Sequence, residues 1–400
     1  MRGLDVTITI VLSIFLLQLS FFPNVLSQQG HGNIIEINPE DSIQDAINSA
    51  NVGDTIHLSS GVYHQGLIIV NKTLTIIGEG ADATIIDGEG DAPLIFSIRA
   101  VGVKIKNLAV RNSSLIYGVG IEISDTRNVE ILNCKVEMNT AGEGKGIELR
   151  NASNCLIARN IIANNIYGIF LREGSVNNTI VGNTVSHNSV GLKIADTYSE
   201  NNLIYHNNFI ENEQQVVYFA SNIWDNGYPS GGNYWSDYSG SDANNDGIGD
   251  KNYCELDYYP LMAPIFFFNV WQLNSEELFI SIVTNSTPFN INFDNNMSSI
   301  SFDINASTSA LCRIAIPRQL IWVNSNEEWQ VYVNSSLIAS PNIMTDENYT
   351  YICFLCCSGT LHIQVIGKYA IPELNISAVL LITMLAIILT VAKKGMNIIK

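Results

Sequence analysis

Ile157-Ala158-Arg159-Asn160-Ile161-Ile162-Ala163-Asn164-Asn165, followed by Gly168-Ile169-Phe170-Leu171, is the stretch that decides the fold. It runs apolar, two residues, Asn or Cys, one residue, apolar, two residues, Asn. The same pattern returns at Ile131/Cys134/Val136/Asn139, Ile180/Asn183/Val185/Asn188 and Ile204/Asn207/Phe209/Asn212, with a looser copy at Ile105/Leu108/Val110/Asn112. From Ile105 to Ile204 the offsets are 26, 26, 23 and 24 residues. A second column keeps the beat: Gly120-Ile121-Glu122-Ile123, Gly146-Ile147-Glu148-Leu149, Gly168-Ile169-Phe170-Leu171 and Gly191-Leu192-Lys193-Ile194. A period in the low twenties, built of short alternating strands broken by Gly and Asn, fits one turn of a parallel β-solenoid. Leucine-rich repeats share the length but need a Leu-x-x-Leu-x-Leu spacing that is missing. Stacked turns lie about 4.8 Å apart, so equivalent side chains form columns. Ile over Ile fills the core, and Asn over Asn makes an amide ladder at the bends, which accounts for Asn160, Asn183 and Asn207 without a ligand.

Upstream, Asp41 or Ser42 can cap a short helix with Ile43, Ala46, Ile47 and Ala50 on one face, ended by Gly53. Such a helix covers the open end of the first coil, which would otherwise recruit other chains. Strands expected at 55–58, 67–70, 74–77 and 84–86 supply the first turns. Ser42-Ile43-Gln44-Asp45-Ala46-Ile47, Gly53-Asp54-Thr55-Ile56, Gly61-Val62-Tyr63 and Leu74-Thr75-Ile76-Ile77-Gly78 resemble the opening of pectin-lyase-like β-helices. The repeats resemble the CASH (carbohydrate-binding and sugar-hydrolysis) type, including the NosD-like proteins named for nitrous-oxide-reductase maturation. The resemblance covers roughly residues 34–262 and implies a right-handed parallel β-helix over 34–220.

Residues 221–262 hold Trp224-Asp225-Asn226-Gly227, Gly231-Gly232-Asn233-Tyr234-Trp235 and Asp242-x-Asn244-x-Asp246-Gly247-Ile248-Gly249-Asp250. Oxygen side chains at alternate positions, with Gly for the sharp turn, suit a hard cation such as Ca²⁺. Asp242, Asn244, Asp246, the Ile248 carbonyl and Asp250 are the expected ligands of a structural ion. Tyr253 stands where an EF-hand needs Glu. The stretch resembles the module that closes the β-helix in archaeal NosD-like surface proteins. From 263 to 370, seven alternating runs at 278–283, 289–293, 299–304, 312–316, 329–333, 349–354 and 361–366 predict a β-sandwich acting as a stalk.

The two ends read as targeting. Arg2 precedes an apolar run from Val6 to Leu26, with a cleavage site framed by Val25 and Ser27, so residues 1–27 are expected to be a signal peptide. Residues 374–392 are long and apolar enough to span a bilayer, and Lys393, Lys394 and Lys400 follow on the cytoplasmic side. The class is therefore all-β: a right-handed parallel β-helix, a β-sandwich and a C-terminal membrane anchor, with the ectodomain at the cell surface. Ten Asn-x-Ser/Thr sequons, the first at Asn71 and the last at Asn375, are glycosylation candidates on such a chain.

A formal charge of −18, with 20 Lys and Arg against 38 Asp and Glu, argues against a nucleic-acid partner, which needs clustered cations. Seven cysteines are too sparse for a disulfide scaffold. Cys353-x-x-Cys356-Cys357 lacks a His pair for zinc and reads as buried thiols or a disulfide to Cys312.

The sheet that carries the Gly-Ile-x-Ile column points outward at Glu122, Glu148, Arg150, Phe170, Arg172 and Lys193, a flat wall of charges around one aromatic. This wall is the candidate glycan-binding face, with extracellular polysaccharide or cell-envelope material as partner. No catalytic set is assigned. A lyase needs clustered acids and a base, and a hydrolase needs two carboxylates. Glu122 and Glu148 stack, but Phe170 and Lys193 end their column, so the polysaccharide lyase or hydrolase is the alternative reading. A second alternative is a NosD-like role in copper delivery. Copper favours clustered His, Cys and Met, whereas His31, His57, His64, His187, His206 and His362 are scattered.

Overall fold

The computed structural model describes residues 32–113, 118–140, 142–273 and 276–371. The expected signal segment and the expected membrane span lie outside these residues. Among the described residues no helix is long and apolar enough to cross a membrane.

Each coil of the solenoid contributes one short strand to each of three parallel sheets. The first sheet has eight strands, from Ile34–Ile37 to Leu203–Tyr205. The second has eight, from Gly61–His64 to Tyr234–Trp235, and the third seven, from Ile68–Val70 to Gln214–Val217. The repeat columns become registers. Ile105, Ile131, Ile157, Ile180 and Ile204 stack in the first sheet. Val110, Val136, Ile162, Val185 and Phe209 stack in the second, and Ile121, Ile147, Ile169 and Leu192 in the third. All are buried and form one core.

The corners are held by amides. Asn160 donates its backbone N–H and its Nδ2 to Asn183 Oδ1, both at 2.9 Å. Asn183 does the same to Asn207, and Asn207 to Asn233. A second ladder runs through Asn139, Asn165, Asn188 and Asn212. A third, which the repeat pattern did not announce, joins Asn178, Asn202 and Asn222. The residue before most ladder positions takes a left-handed backbone, as at Asn133, Arg159, Gly182 and His206. That conformation is costly for a side chain as large as Arg, and the ladder bonds that follow it offset the cost.

Both ends of the core are covered. The helix α1 (Ile43–Ser49) is capped by the Ser42 side chain and buries Ile43, Ala46 and Ile47. It stops at Ser49, short of the expected Gly53, because Ala50 turns to an extended conformation. Lys72 Nζ then donates to the carbonyls of Ile47, Asn48 and Ala50, a cation on the negative end of the helix. At the other end Trp235 stacks between Phe209 and Tyr253, with ring centroids 4.5 and 4.3 Å away. Asp257 Oδ2 accepts from Asn233 N–H at 2.6 Å and from Trp235 Nε1 at 2.9 Å, so a carboxylate ends the first ladder. Burial pushes this carboxyl up to about 7, against the pull of its donors.

Beyond the closing module lie two five-stranded antiparallel sheets with one shared core. All seven expected strands are present. Three more, Ile265–Leu273, Ser336–Leu337 and Asn342–Thr345, were not expected. Ile265–Leu273 hides because it is apolar on both faces: Phe268 and Trp271 pack into the sandwich core, while Ile265 and Phe267 pack towards the closing module. Two-sided burial erases alternation.

The sandwich docks on the corner between the first and second sheets. Asn208 brackets Ile265, accepting from its N–H and donating to its carbonyl, each at 2.8 Å. Arg159 lies over the Phe279 ring at 4.2 Å. Arg313, 1% exposed, donates to the carbonyls of Asp246 and Pro229 and stacks on Tyr351.

Replacing Asn183 with Ala should strip partners from the Asn160 N–H, the Asn160 amide and the Ile157 carbonyl. At about 1–3 kcal/mol for each buried group left unpaired, the loss is roughly 3 kcal/mol or more. A urea unfolding midpoint equal to that of the parent would contradict the ladder's role.

Candidate functional site

The wall on the third sheet begins with a glycine. A Cβ on Gly168 would lie 2.5 Å from the Gly191 carbonyl oxygen and 2.8 Å from Val185, so this position faces inward at a tight corner. Gly146 is held in the same way against the Gly168 carbonyl. Glycine and the following Ile or Leu both point in. The residue before the glycine is thereby turned out, which places Lys145 and Tyr167 beside Glu148 and Phe170.

Glu122 and Glu148 are register partners on adjacent strands, as are Phe170 and Lys193. Each carboxylate has its own cations. Arg172 Nε meets Glu148 Oε1 at 2.6 Å, with Lys145 Nζ at 3.8 Å. Arg150 Nε lies 3.7 Å from Glu122 Oε1, and Ser97 Oγ donates to Glu122 Oε2 at 3.3 Å. Glu173 ties the two arginines together, 2.6 Å from Arg172 Nη1 and 3.6 Å from Arg150 Nη1. Arg150 also reaches Ser124 and Asp125. Burial disfavours the charge on Arg172, yet the Glu148 carboxylate, with Glu173 and Glu122, holds it above its ordinary pKa. Lys193 Nζ sits 4.5 Å over Tyr167 and 5.3 Å over Phe170, and Lys145 lies 5.2 Å from Phe170 on the other side.

All six expected residues therefore fall on one wall, but not as an evenly solvated face. The Glu148 side chain is 2% exposed and Phe170 is 7% exposed. What meets solvent is a set of cations, the Tyr167 ring and Glu173. Lys145, Tyr167, Glu173, Ser97 and Arg99 were missed by the sequence reading. Lys145 and Tyr167 precede the glycine column in successive copies, and simple alternation from Ile147 and Ile169 sends them inward.

Chemically, each carboxylate is occupied. A general acid or a nucleophile must reach the scissile bond, and Glu148 lies beneath Arg172 and Lys145.

The acidic loop folds on itself. Asp242 accepts from the N–H groups of Asp246 and Gly247, Asp246 from Ile248 N–H, and Asp250 from Ala243 N–H and Ser241 Oγ. Asn244 donates to Asp246 Oδ2. Burial, then the charges of Asp246 and Asp250, raise the Asp242 carboxyl above the usual range. Among the described residues no three His, Cys, Asp or Glu side chains converge as a metal would need. His57, His64, His187 and His362 each meet one carboxylate, respectively Glu36, Glu89, Glu211 and Asp303, and His206 faces the Ser230 carbonyl. Among the described residues no disulfide joins the cysteines; in the sandwich core Cys312 Sγ lies 3.8 Å from Thr284 Oγ1, and Cys353 is the register partner of Arg313.

Arg172→Ala should leave Glu148 buried with only a distant lysine. The expected cost is about 3 kcal/mol, and Glu148→Gln in the same chain should recover part of it. Additive losses in chemical denaturation would show that the pair is not coupled.

Residues 47–240 match the family model described as "Periplasmic copper-binding protein (NosD)". The "Probable ABC transporter binding protein NosD" of Stutzerimonas stutzeri is 46% identical over 79 residues, covering 20% of this chain and 18% of that protein. Its counterpart in Pseudomonas aeruginosa is 43% identical over 79 residues, with the same shares. The chain thus spans less than a fifth of these curated relatives' length, 18% in each case. Among solved structures, pectate lyase Pel9A is similar with a TM-score of 0.38 and 16% identity, covering 50% of this chain and 57% of that one. Pectin methylesterase PemA from Erwinia chrysanthemi is similar with a TM-score of 0.34 and 14% identity, over 45% and 66%. The middle of the chain is a NosD-like parallel β-helix.

Proposed function

We propose that this protein is a β-helix display scaffold working outside the cytoplasm, which binds extracellular polysaccharide or cell-envelope material along its third sheet and does not cleave it. The observation that carries this reading is the wall itself. Arg150, Arg172, Lys193 and Tyr167 line one sheet, whereas the carboxylates that an enzyme would use are tied to cations, one of them buried. The sandwich docks on the opposite corner and leaves the wall accessible. The periplasmic location in the family's description favours an extracytoplasmic site, and the apolar segment at 374–392 would anchor the chain to the membrane.

Binding to acidic polysaccharides on a glycan array, with no new reducing ends and no unsaturated products in solution, is the expected result. Arg150→Ala with Lys193→Ala should weaken that binding by about tenfold or more, since both cations line the wall, while Glu122 keeps its hydrogen bond from Ser97 when Arg150 is removed. Release of unsaturated sugar would instead establish a lyase.

The family description also favours a second reading, an accessory role in copper delivery. Among the described residues the histidines do not converge within one molecule, each meeting a carboxylate or a carbonyl instead. Copper retained after dialysis against a weak chelator, and lost on replacing the histidines, would reverse that view.

Calcium is proposed for the acidic loop. Asp242, Asn244, Asp246, the Ile248 carbonyl and Asp250 offer oxygens at the alternate spacing that suits a hard cation, and an ion drawing them together would relieve the burial and the repulsion from Asp246 and Asp250 that raise the Asp242 carboxyl. EGTA should lower the melting temperature and added Ca²⁺ restore it. An unchanged melt rejects the ion.

A further inference from the structure

Where the sandwich meets the solenoid, the two do not close completely. A cavity of about 110 Å³ remains between the last coils and the sandwich, walled by Tyr205, His206, Phe267, Phe279, Tyr349 and Tyr351. Of these, Tyr349 is 37% exposed, so the space is not sealed from solvent. This cavity is far from the charged wall: its solenoid residues belong to the first sheet and the corner after it.

The lining defines a chemistry. No Asp, Glu, Lys or Arg side chain faces the space. The two nearest cations, Arg159 and Arg313, already occupy a ring face of Phe279 and of Tyr351, at 4.2 and 4.5 Å. A cationic guest would meet rings that are already serving a cation, and an anion would find no charge to pair with.

Polar groups remain available. His206 Nε2 lies 3.0 Å from the Ser230 carbonyl, which can only accept, so Nε2 carries the proton and Nδ1 presents a lone pair. Burial lowers the His206 pKa to about 4, which keeps the ring neutral. The Tyr205 and Tyr349 side chains also line the space, whereas Asn226 and Ser230 at its border already pair with each other, Nδ2 to Oγ at 2.9 Å.

A purely aromatic guest would leave His206 Nδ1 and the Tyr205 and Tyr349 hydroxyls without a partner at a cost. A ring that is apolar on its faces and carries a hydroxyl on most of its edge positions satisfies both the tyrosine faces and the scattered polar atoms. The volume is below the roughly 150 Å³ of a cavity that encloses benzene, so such a ring enters through the mouth and is only partly enclosed.

We propose that this junction cleft binds one neutral pyranose residue at the end or on a branch of a glycan, stacked against Tyr349 and Tyr205 and donating a hydroxyl to His206 Nδ1. The site is separate from the third-sheet wall and does not depend on it.

Saturation-transfer NMR on the full chain tests this, with methyl glycosides of glucose, galactose, mannose and N-acetylglucosamine, and with glucuronate, phenol and tetramethylammonium as comparison probes. The expected result is transfer to at least one neutral glycoside, strongest on the C–H groups of one ring face. Tyr349→Ala, at a partly exposed position, should weaken it by about tenfold. His206→Leu should abolish it. His206→Gln should hold it within about threefold, because glutamine supplies both a donor for Ser230 and an acceptor for the sugar. Arg150→Ala with Lys193→Ala should leave it unchanged. Absence of transfer to every neutral glycoside overturns the proposal, as does transfer confined to the comparison probes or transfer insensitive to both Tyr349→Ala and His206→Leu. Loss of the cleft site with acidic-polysaccharide binding intact would remove this inference and leave the proposed function standing.

Discussion

The amide ladder is the constraint on which the rest of the structure depends. A coil must turn three corners, and each corner leaves backbone N–H and C=O groups inside a dry core. An asparagine at the corner answers both needs. Its Oδ1 accepts the N–H and the side-chain amide of the coil before it, while its Nδ2 reaches a carbonyl of that same preceding coil, as Asn183 does with Ile157. Because every amide both gives and receives, the stack has a direction and must end on a group that only receives. Asp257 is that group, and its position fixes where the solenoid stops.

A stack so fixed makes the third sheet a rigid platform. The glycine column pulls two consecutive residues inward, which lifts Lys145 and Tyr167 into the wall and sets them against Phe170 and Glu148. The charges there form a connected pattern in which Glu173 joins two arginines and Glu148 lies beneath. A low-dielectric setting strengthens each such pair and also makes each costly to break.

The junction with the sandwich follows from the same corners. Arg159, Gly182 and His206 occupy the left-handed position before successive ladder residues, so their side chains, or the lack of one, project from a single edge. Phe267 and Phe279 pack onto that edge, and the incomplete fit around His206 leaves the cleft.

Much of this was legible in the residues alone. The repeat of Ile and Asn gave the coils, two of the three ladders and the order of the strands, because a solenoid's contacts are between neighbours in the repeat and so leave a periodic trace. Ile43, Ala46 and Ile47 likewise announced the cap. Tertiary structure alone decided what lies off that period. Strand Ile265–Leu273 was hidden because both of its faces are buried. Lys145 and Tyr167 were misdirected because a corner interrupts the alternation of a strand. The burial of Glu148, the Arg313 bridge and the cleft at His206 join residues far apart in the chain, and no local spacing encodes a contact of that kind. The sequence determined the solenoid, since stacking repeats identical local interactions; which of its faces is open, paired or hollow depended on how separate units met.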